Sequence, residues 1–120
     1  MSTSLDIMTE KIFNIFIKEY NILDVEPLGN KIVLMEKYSE YYTNFSGKTY
    51  RLYDIVLEGE QIINDFSKEE DFLIYKLTKK QIVKLVNKSD DNELIDKWKP
   101  IIESFESLND DDYLYFIIDN

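Results

Sequence analysis

The sequence predicts an α+β fold: an antiparallel or mixed four- to five-stranded sheet with a long central hairpin and three helices packed mainly on one face. Three observations carry this expectation. Lys31 to Leu57 is crowded with β-branched and aromatic residues around a glycine-bearing turn, the composition of a pleated, half-buried surface. Leu94, Ile95, Trp98, Ile101, Ile102 and Phe105 repeat at helical spacing, the clearest such signal in the chain. Tyr113 to Ile118 is apolar on both faces, as suits a strand inside a sheet and not at its edge.

The elements follow in order. Thr3 or Ser4 is expected to cap a first helix, with Asp6 in its first turn and Leu5, Met8, Ile12, Ile15 and Phe16 along its apolar arc. Asn21 should end it, and Pro27 and Gly29 mark a connection. The hairpin opens at Ile32-Val33-Leu34-Met35, turns at Asn44 to Lys48 around Gly47, and returns along Thr49 to Leu57. Glu58-Gly59-Glu60 is a further turn signal, and Gln61 to Phe66 fits either a short strand or one helical turn. Ser67 to Asp71 reads as a charged loop and Phe72 to Leu77 as a strand.

Thr78, with Gln81 three residues on, has the spacing of a capping box. The helix it starts carries Ile82, Val83, Leu85 and Val86 on one face and Lys80, Lys84 and Lys88 on the other. Ser89 to Asn92 recaps the chain for the helix of Trp98, within which Pro100 should cause a kink or a restart. Trp98, central in that apolar stripe, should be buried against the sheet. Leu108 to Asp112 is a loop before the last strand.

At 120 residues the chain is expected to form one domain, residues 1–120, with a core of its own. Neither cysteine nor histidine is present. That excludes a disulfide framework, a thiolate nucleophile, Cys-ligated zinc, the commonest general base and the commonest metal ligand. No cofactor or metal is expected. The aspartate-rich stretches lack the central glycine of a calcium loop, and no phosphate-binding glycine loop or nucleophile elbow occurs. Asp54, interrupting an apolar strand, is the best single candidate for acid–base work, yet one strand carboxylate is more often a surface or paired residue. The chain is therefore read as no enzyme.

No apolar run reaches the roughly 20 residues that span a bilayer, and the N-terminus lacks the basic region of a signal peptide. A cytoplasmic protein with no membrane partner is expected, monomeric or weakly dimeric. Alanine is absent and Arg51 is the only arginine, while Ile, Asn, Lys, Tyr and Asp abound. That usage suits an A/T-rich coding sequence, from a bacterium, a phage or a mobile element.

Charge carries the functional expectation. The chain has 24 acidic against 14 basic residues, a net charge of −10. Such a charge argues against direct nucleic-acid binding and points to neutral or basic partners. The excess lies late: residues 89–120 hold two lysines and ten acids, whereas residues 67–88 hold six lysines and three acids. Asp90, Asp91 and Glu93, with Asp110, Asp111 and Asp112, flank one helix and present carboxylates to a basic groove. A solvated face, with Asp90 and Asp91 stabilising a helix start, accounts for the same residues more simply. The lysine row is read as solvated or paired with the chain's own acids. Tyr38, Tyr41 and Tyr42 are aromatic anchor candidates, or edge aromatics of the sheet. Together these features suggest a small acidic inhibitor that occludes a basic, nucleic-acid-handling protein, a toxin or defence nuclease, in the manner of an immunity protein, antitoxin or phage anti-defence protein. The alternative is an adaptor subunit whose acidity serves solubility.

Overall fold

The computed structural model describes residues 4–23, 42–46, 50–69 and 71–119. Among them the fold is α+β, with a five-stranded, wholly antiparallel sheet. The strands are β1 (Ser4–Thr9), β2 (Tyr42–Ser46), β3 (Glu60–Ile62), β4 (Leu73–Thr78) and β5 (Tyr113–Asp119). The helices are α1 (Glu10–Leu23), α2 (Tyr50–Val56), α3 (Asp65–Glu69), α4 (Lys79–Lys88) and α5 (Asn92–Ser104). The sheet order β2-β1-β5-β4-β3 puts β5 at the centre, as its two apolar faces require.

The pleat assigns each face its cover. Leu5, Ile7, Leu77, Leu114, Phe116 and Ile118 share one face and pack with Leu52, Ile55 and Val56 of α2, Ile82 and Val86 of α4, and Leu94, Trp98 and Ile101 of α5. Met8, Ile74, Tyr115 and Ile117 share the other and pack with Ile12, Phe13 and Phe16 of α1. Three helices thus cover one face, but they are not the three expected: α2 falls where the sequence predicts a strand, and the first helix, counted among the three, packs on the opposite face. Trp98 is fully buried, its ring edge-on to Phe116 with centroids 6.1 Å apart.

Two expectations are corrected. The first helix does not begin at Ser4, because residues 4–9 are a strand between β2 and β5. Leu5, Asp6, Ile7 and Met8 are all fully buried, so no polar alternation marks the strand, and the spacing of Leu5, Met8 and Ile12 mimics a helical period. The returning arm of the hairpin is not a strand either: Tyr50–Val56 is helical. Leu52, Ile55 and Val56 fall at i, i+3 and i+4 and are buried, so the three-helix core overrides the β-propensity of YRLYDIV. The turn expected at 44–48 overlaps β2, which pairs with β1 from Tyr42↔Met8 to Ser46↔Ser4. The opening arm at 32–35 lies outside the described residues.

Smaller features follow the sequence more closely. The capping box is reciprocal: Gln81 N–H donates to Thr78 Oγ1 at 3.1 Å, and Thr78 N–H to Gln81 Oε1 at 2.8 Å. Gln61 to Phe66 contains both the end of a strand and the start of a helix, and α3 occupies most of the expected charged loop. Helix α5 runs through Pro100 without a restart. Gly59 turns the chain from α2 into β3 where no side chain fits. A Cβ there would lie 2.5 Å from Leu77 Cδ1 and 2.6 Å from the Lys76 carbonyl oxygen.

Candidate functional site

The carboxylates singled out in the sequence fall into two groups, at opposite ends of α5. Its 13 residues separate them by roughly 20 Å at 1.5 Å per residue, so they do not form one patch.

At the N-terminal end, Asp91 is the helix cap and accepts from the backbone N–H groups of Glu93 and Leu94 at 3.1 and 3.3 Å. Its other oxygen accepts from Arg51 Nη1 of α2 at 2.7 Å, and Arg51 Nε lies 3.5 Å from Glu93. Lys97 approaches Glu93 at 3.8 Å. Two of these three acids therefore fasten α2 to α5. Asp90 is exposed and makes no such pair among the described residues.

The second group sits on a loop that is held from beneath. The N–H groups opening α4 donate into it, Lys79 to the Asp112 carbonyl at 2.9 Å and Lys80 to that of Asp110 at 3.0 Å. The Lys79 ammonium reaches further back, to the Glu106 and Leu108 carbonyls at 3.1 and 3.0 Å. Asp112 accepts from the Asn109 N–H at 2.9 Å, closing the turn. A short acidic loop is thereby fixed by backbone and lysine contacts while Asp110 and Asp111 stay exposed. Its carbonyls also answer the first free N–H groups of α4, which needed partners from somewhere.

This loop meets the β1–α1 junction around a cavity of about 380 Å³, lined by Thr9, Glu10, Lys11, Leu108, Asp111, Asp112 and Tyr113. Beside it runs a polar row across the sheet. Glu60 and Lys76 pair at 3.6 Å, the Lys76 ammonium stands 4.6 Å from the Tyr113 ring centre, and the Tyr115 hydroxyl donates to Glu10 at 3.3 Å. Tyr115 stacks on Phe13 at 4.2 Å. Burial, reinforced by the negative charge of Glu10, pushes its phenol pKa up. The expected site therefore contributes Asp111 and Asp112 to this cavity. Sequence reading missed Thr9, Glu10, Tyr113 and Tyr115. Only the spacing of Tyr113 and Tyr115, two apart on one strand, was a usable signal.

The remaining candidates fare differently. Tyr38 and Tyr41 lie outside the described residues, and Tyr42 opens the edge strand β2. Asp54 is exposed on helix α2, which removes the reason for singling it out. Lys80, Lys84 and Lys88 are exposed along α4 and, with Val83, Asn87 and Asp110, border a second hollow of about 490 Å³. Among the described residues no group of three or more Asp or Glu side chains is placed to hold a metal ion, and no helix is long and apolar enough to cross a membrane. Comparison with protein-family models, with curated proteins and with solved structures finds no match to this chain.

Proposed function

We propose that this chain is a small acidic protein that acts by binding, covering the cationic surface of a nucleic-acid-handling protein such as a toxin or a defence nuclease. The observation that carries this reading is the loop of Asp110, Asp111 and Asp112, clamped onto the start of α4 yet open to solvent at its first two carboxylates. A loop already ordered in the free protein loses little conformational freedom on docking, which favours affinity. Its carboxylates belong to a chain of net charge −10, and a field of that sign speeds encounter with a basic partner and disfavours an acidic one. The same charge opposes direct contact with nucleic-acid phosphates. Inhibition would follow from occlusion: the carboxylates occupy the cationic groups that otherwise receive phosphates.

The reading is tested by isolating the protein's bound partner from its native host and measuring that partner's action on nucleic acid. Added wild-type protein should suppress the action by competing with the substrate. Neutralising Asp110, Asp111 and Asp112 together should weaken suppression at least tenfold without unfolding the chain. A partner without a basic, nucleic-acid-handling surface, or one bound without any loss of its activity, would refute it.

A further inference from the structure

We infer that this protein pairs with a second copy of itself, the acidic loop of each copy resting on the α4 lysine row of the other. Both sets of charges are on the surface of one chain. Lys80, Lys84 and Lys88 are exposed along α4, about 6 Å apart in succession and about 12 Å from first to last. Among the described residues none of the three forms an ion pair, although acids outnumber bases by 24 to 14 in the chain. Lys76, Lys79 and Lys97, by contrast, each reach a carboxylate or a backbone carbonyl. Asp110 and Asp111 are exposed and likewise form no ion pair among the described residues.

The two sets lie side by side. The Lys80 N–H donates to the Asp110 carbonyl at 3.0 Å, which puts the loop at the first lysine. Asp110 also borders the hollow of about 490 Å³ that the three lysines line. The surface therefore runs from negative at the loop to positive along α4. A two-fold axis across this run lays it antiparallel on itself. Asp110 and Asp111 of one copy then come over Lys84 and Lys88 of the other, and the reverse pairs form at the same time. A contact of this symmetry closes as a dimer and cannot grow into a fibre. Neighbouring Cα atoms in the loop are about 3.8 Å apart, and the flexible lysine stems take up the difference from their own spacing. Val83 and Asn87 line the hollow beside the lysines and meet the incoming loop. That loop is already fixed by Lys79 and by backbone bonds, so docking has little left to order.

Other occupants match only half of this surface. A nucleic acid or a wholly acidic peptide would pair with the lysines but face Asp110 and Asp111, on a chain of net charge −10. A second copy carries that net charge too, yet it brings both signs in the reverse order. In about 0.15 M salt, charges more than about 8 Å apart are largely screened, whereas pairs in contact still attract. Exposed pairs are individually weak, so the dimer is a weak one, with a dissociation constant between micromolar and millimolar. Because the same loop is the docking element of the proposed function, pairing and partner binding exclude each other. That consequence alone rests on the proposed function.

The test is sedimentation equilibrium of the intact chain in about 0.15 M salt, from micromolar to millimolar concentration. Wild type should show a reversible monomer–dimer equilibrium. Lys84→Glu with Lys88→Glu should weaken it at least tenfold, and Asp110→Lys with Asp111→Lys should do the same. The chain carrying all four substitutions, with its charges exchanged, should regain most of the lost affinity. Circular dichroism checks that each variant keeps the fold. Should a reversal unfold the chain, Lys84→Gln with Lys88→Gln and Asp110→Asn with Asp111→Asn should each weaken the dimer several-fold. A chain that stays monomeric throughout, a dimer indifferent to either pair, or a fourfold variant that regains nothing would overturn the inference. The two proposals fail separately. A rescued dimer without any basic partner keeps the pairing and removes the function, whereas a basic partner bound by a chain that never dimerises removes the pairing alone. A partner complex that retains the paired dimer would remove the exclusion.

Discussion

Replacing Trp98 by alanine should be the most damaging single change in the three-helix core. The indole is fully buried between α5 and the sheet, and its removal forfeits the transfer free energy of the ring and leaves a void that a close-packed interior closes only in part. Comparable truncations cost about 3–5 kcal/mol, of which roughly 0.5–1.5 kcal/mol is the edge-on contact with Phe116. A domain of this size has about 5–15 kcal/mol to lose, so the variant should still fold, at a much lower denaturant midpoint. With a urea dependence of about 1–3 kcal/mol per molar, the midpoint should fall by about 1–5 M, read by far-ultraviolet circular dichroism because the only tryptophan is gone. Trp98→Phe supplies the control. The indole N–H is buried with no hydrogen-bond partner among the described residues, so phenylalanine forfeits volume but no bond and should cost clearly less than alanine. A Trp98→Ala cost below about 1 kcal/mol, or equal costs for the two variants, would refute the packing argument.

Other substitutions probe separate joints. Gly59→Ala forces a Cβ against a backbone carbonyl that cannot step aside, and thermal unfolding should show a loss of about 1–3 kcal/mol. A double-mutant cycle on Arg51→Met and Asp91→Asn should give a coupling of only about 0.2–1 kcal/mol that shrinks in high salt, because both side chains are about one-third exposed. Asp91→Asn keeps a capping side chain, so the cycle isolates the ion pair from the cap. Tyr115 gives a pH signature. Its folded-state pKa lies above the ordinary value of 10.0, so its contribution to stability is complete below pH 10 and fades as pH rises through the folded pKa. The stability difference between wild type and Tyr115→Phe should therefore narrow above pH 10, and a difference that widens there would contradict the assigned burial.

The second half of the chain was largely legible because its signals are local. A capping box fixes the start of α4, an unbroken apolar stripe fixes α5, and an apolar run fixes β5 inside the sheet. The first half depended on tertiary context. β1 is buried on both faces and even holds Asp6 within the core, so it lacks the alternation that distinguishes a half-buried strand. In α2 the side-chain types favour a strand, while the spacing of Leu52, Ile55 and Val56 suits a helix, and packing decided for the spacing. The site shows the same division. That residues 110–112 form an exposed acidic loop was readable, but their meeting with Thr9 and Glu10, about a hundred residues earlier, follows from the antiparallel pairing of β1 with β5. The engagement of Asp91 by Arg51, 40 residues away, was equally out of reach.

The central claim is that the acidity of residues 110–112 recognises a basic surface. The most direct measurement is the association rate with the native partner, for wild type and for the variant carrying Asp110→Asn, Asp111→Asn and Asp112→Asn, between about 50 and 500 mM salt, over which the Debye length falls to a few Å. Steered binding predicts that wild-type association slows markedly with salt, and that the variant associates more slowly at low salt, with less salt dependence and a smaller change in its dissociation rate. Its folding should change by no more than about 0.5 kcal/mol, apart from the turn bond that Asp112 accepts. An association rate indifferent to both salt and these three substitutions would contradict the claim.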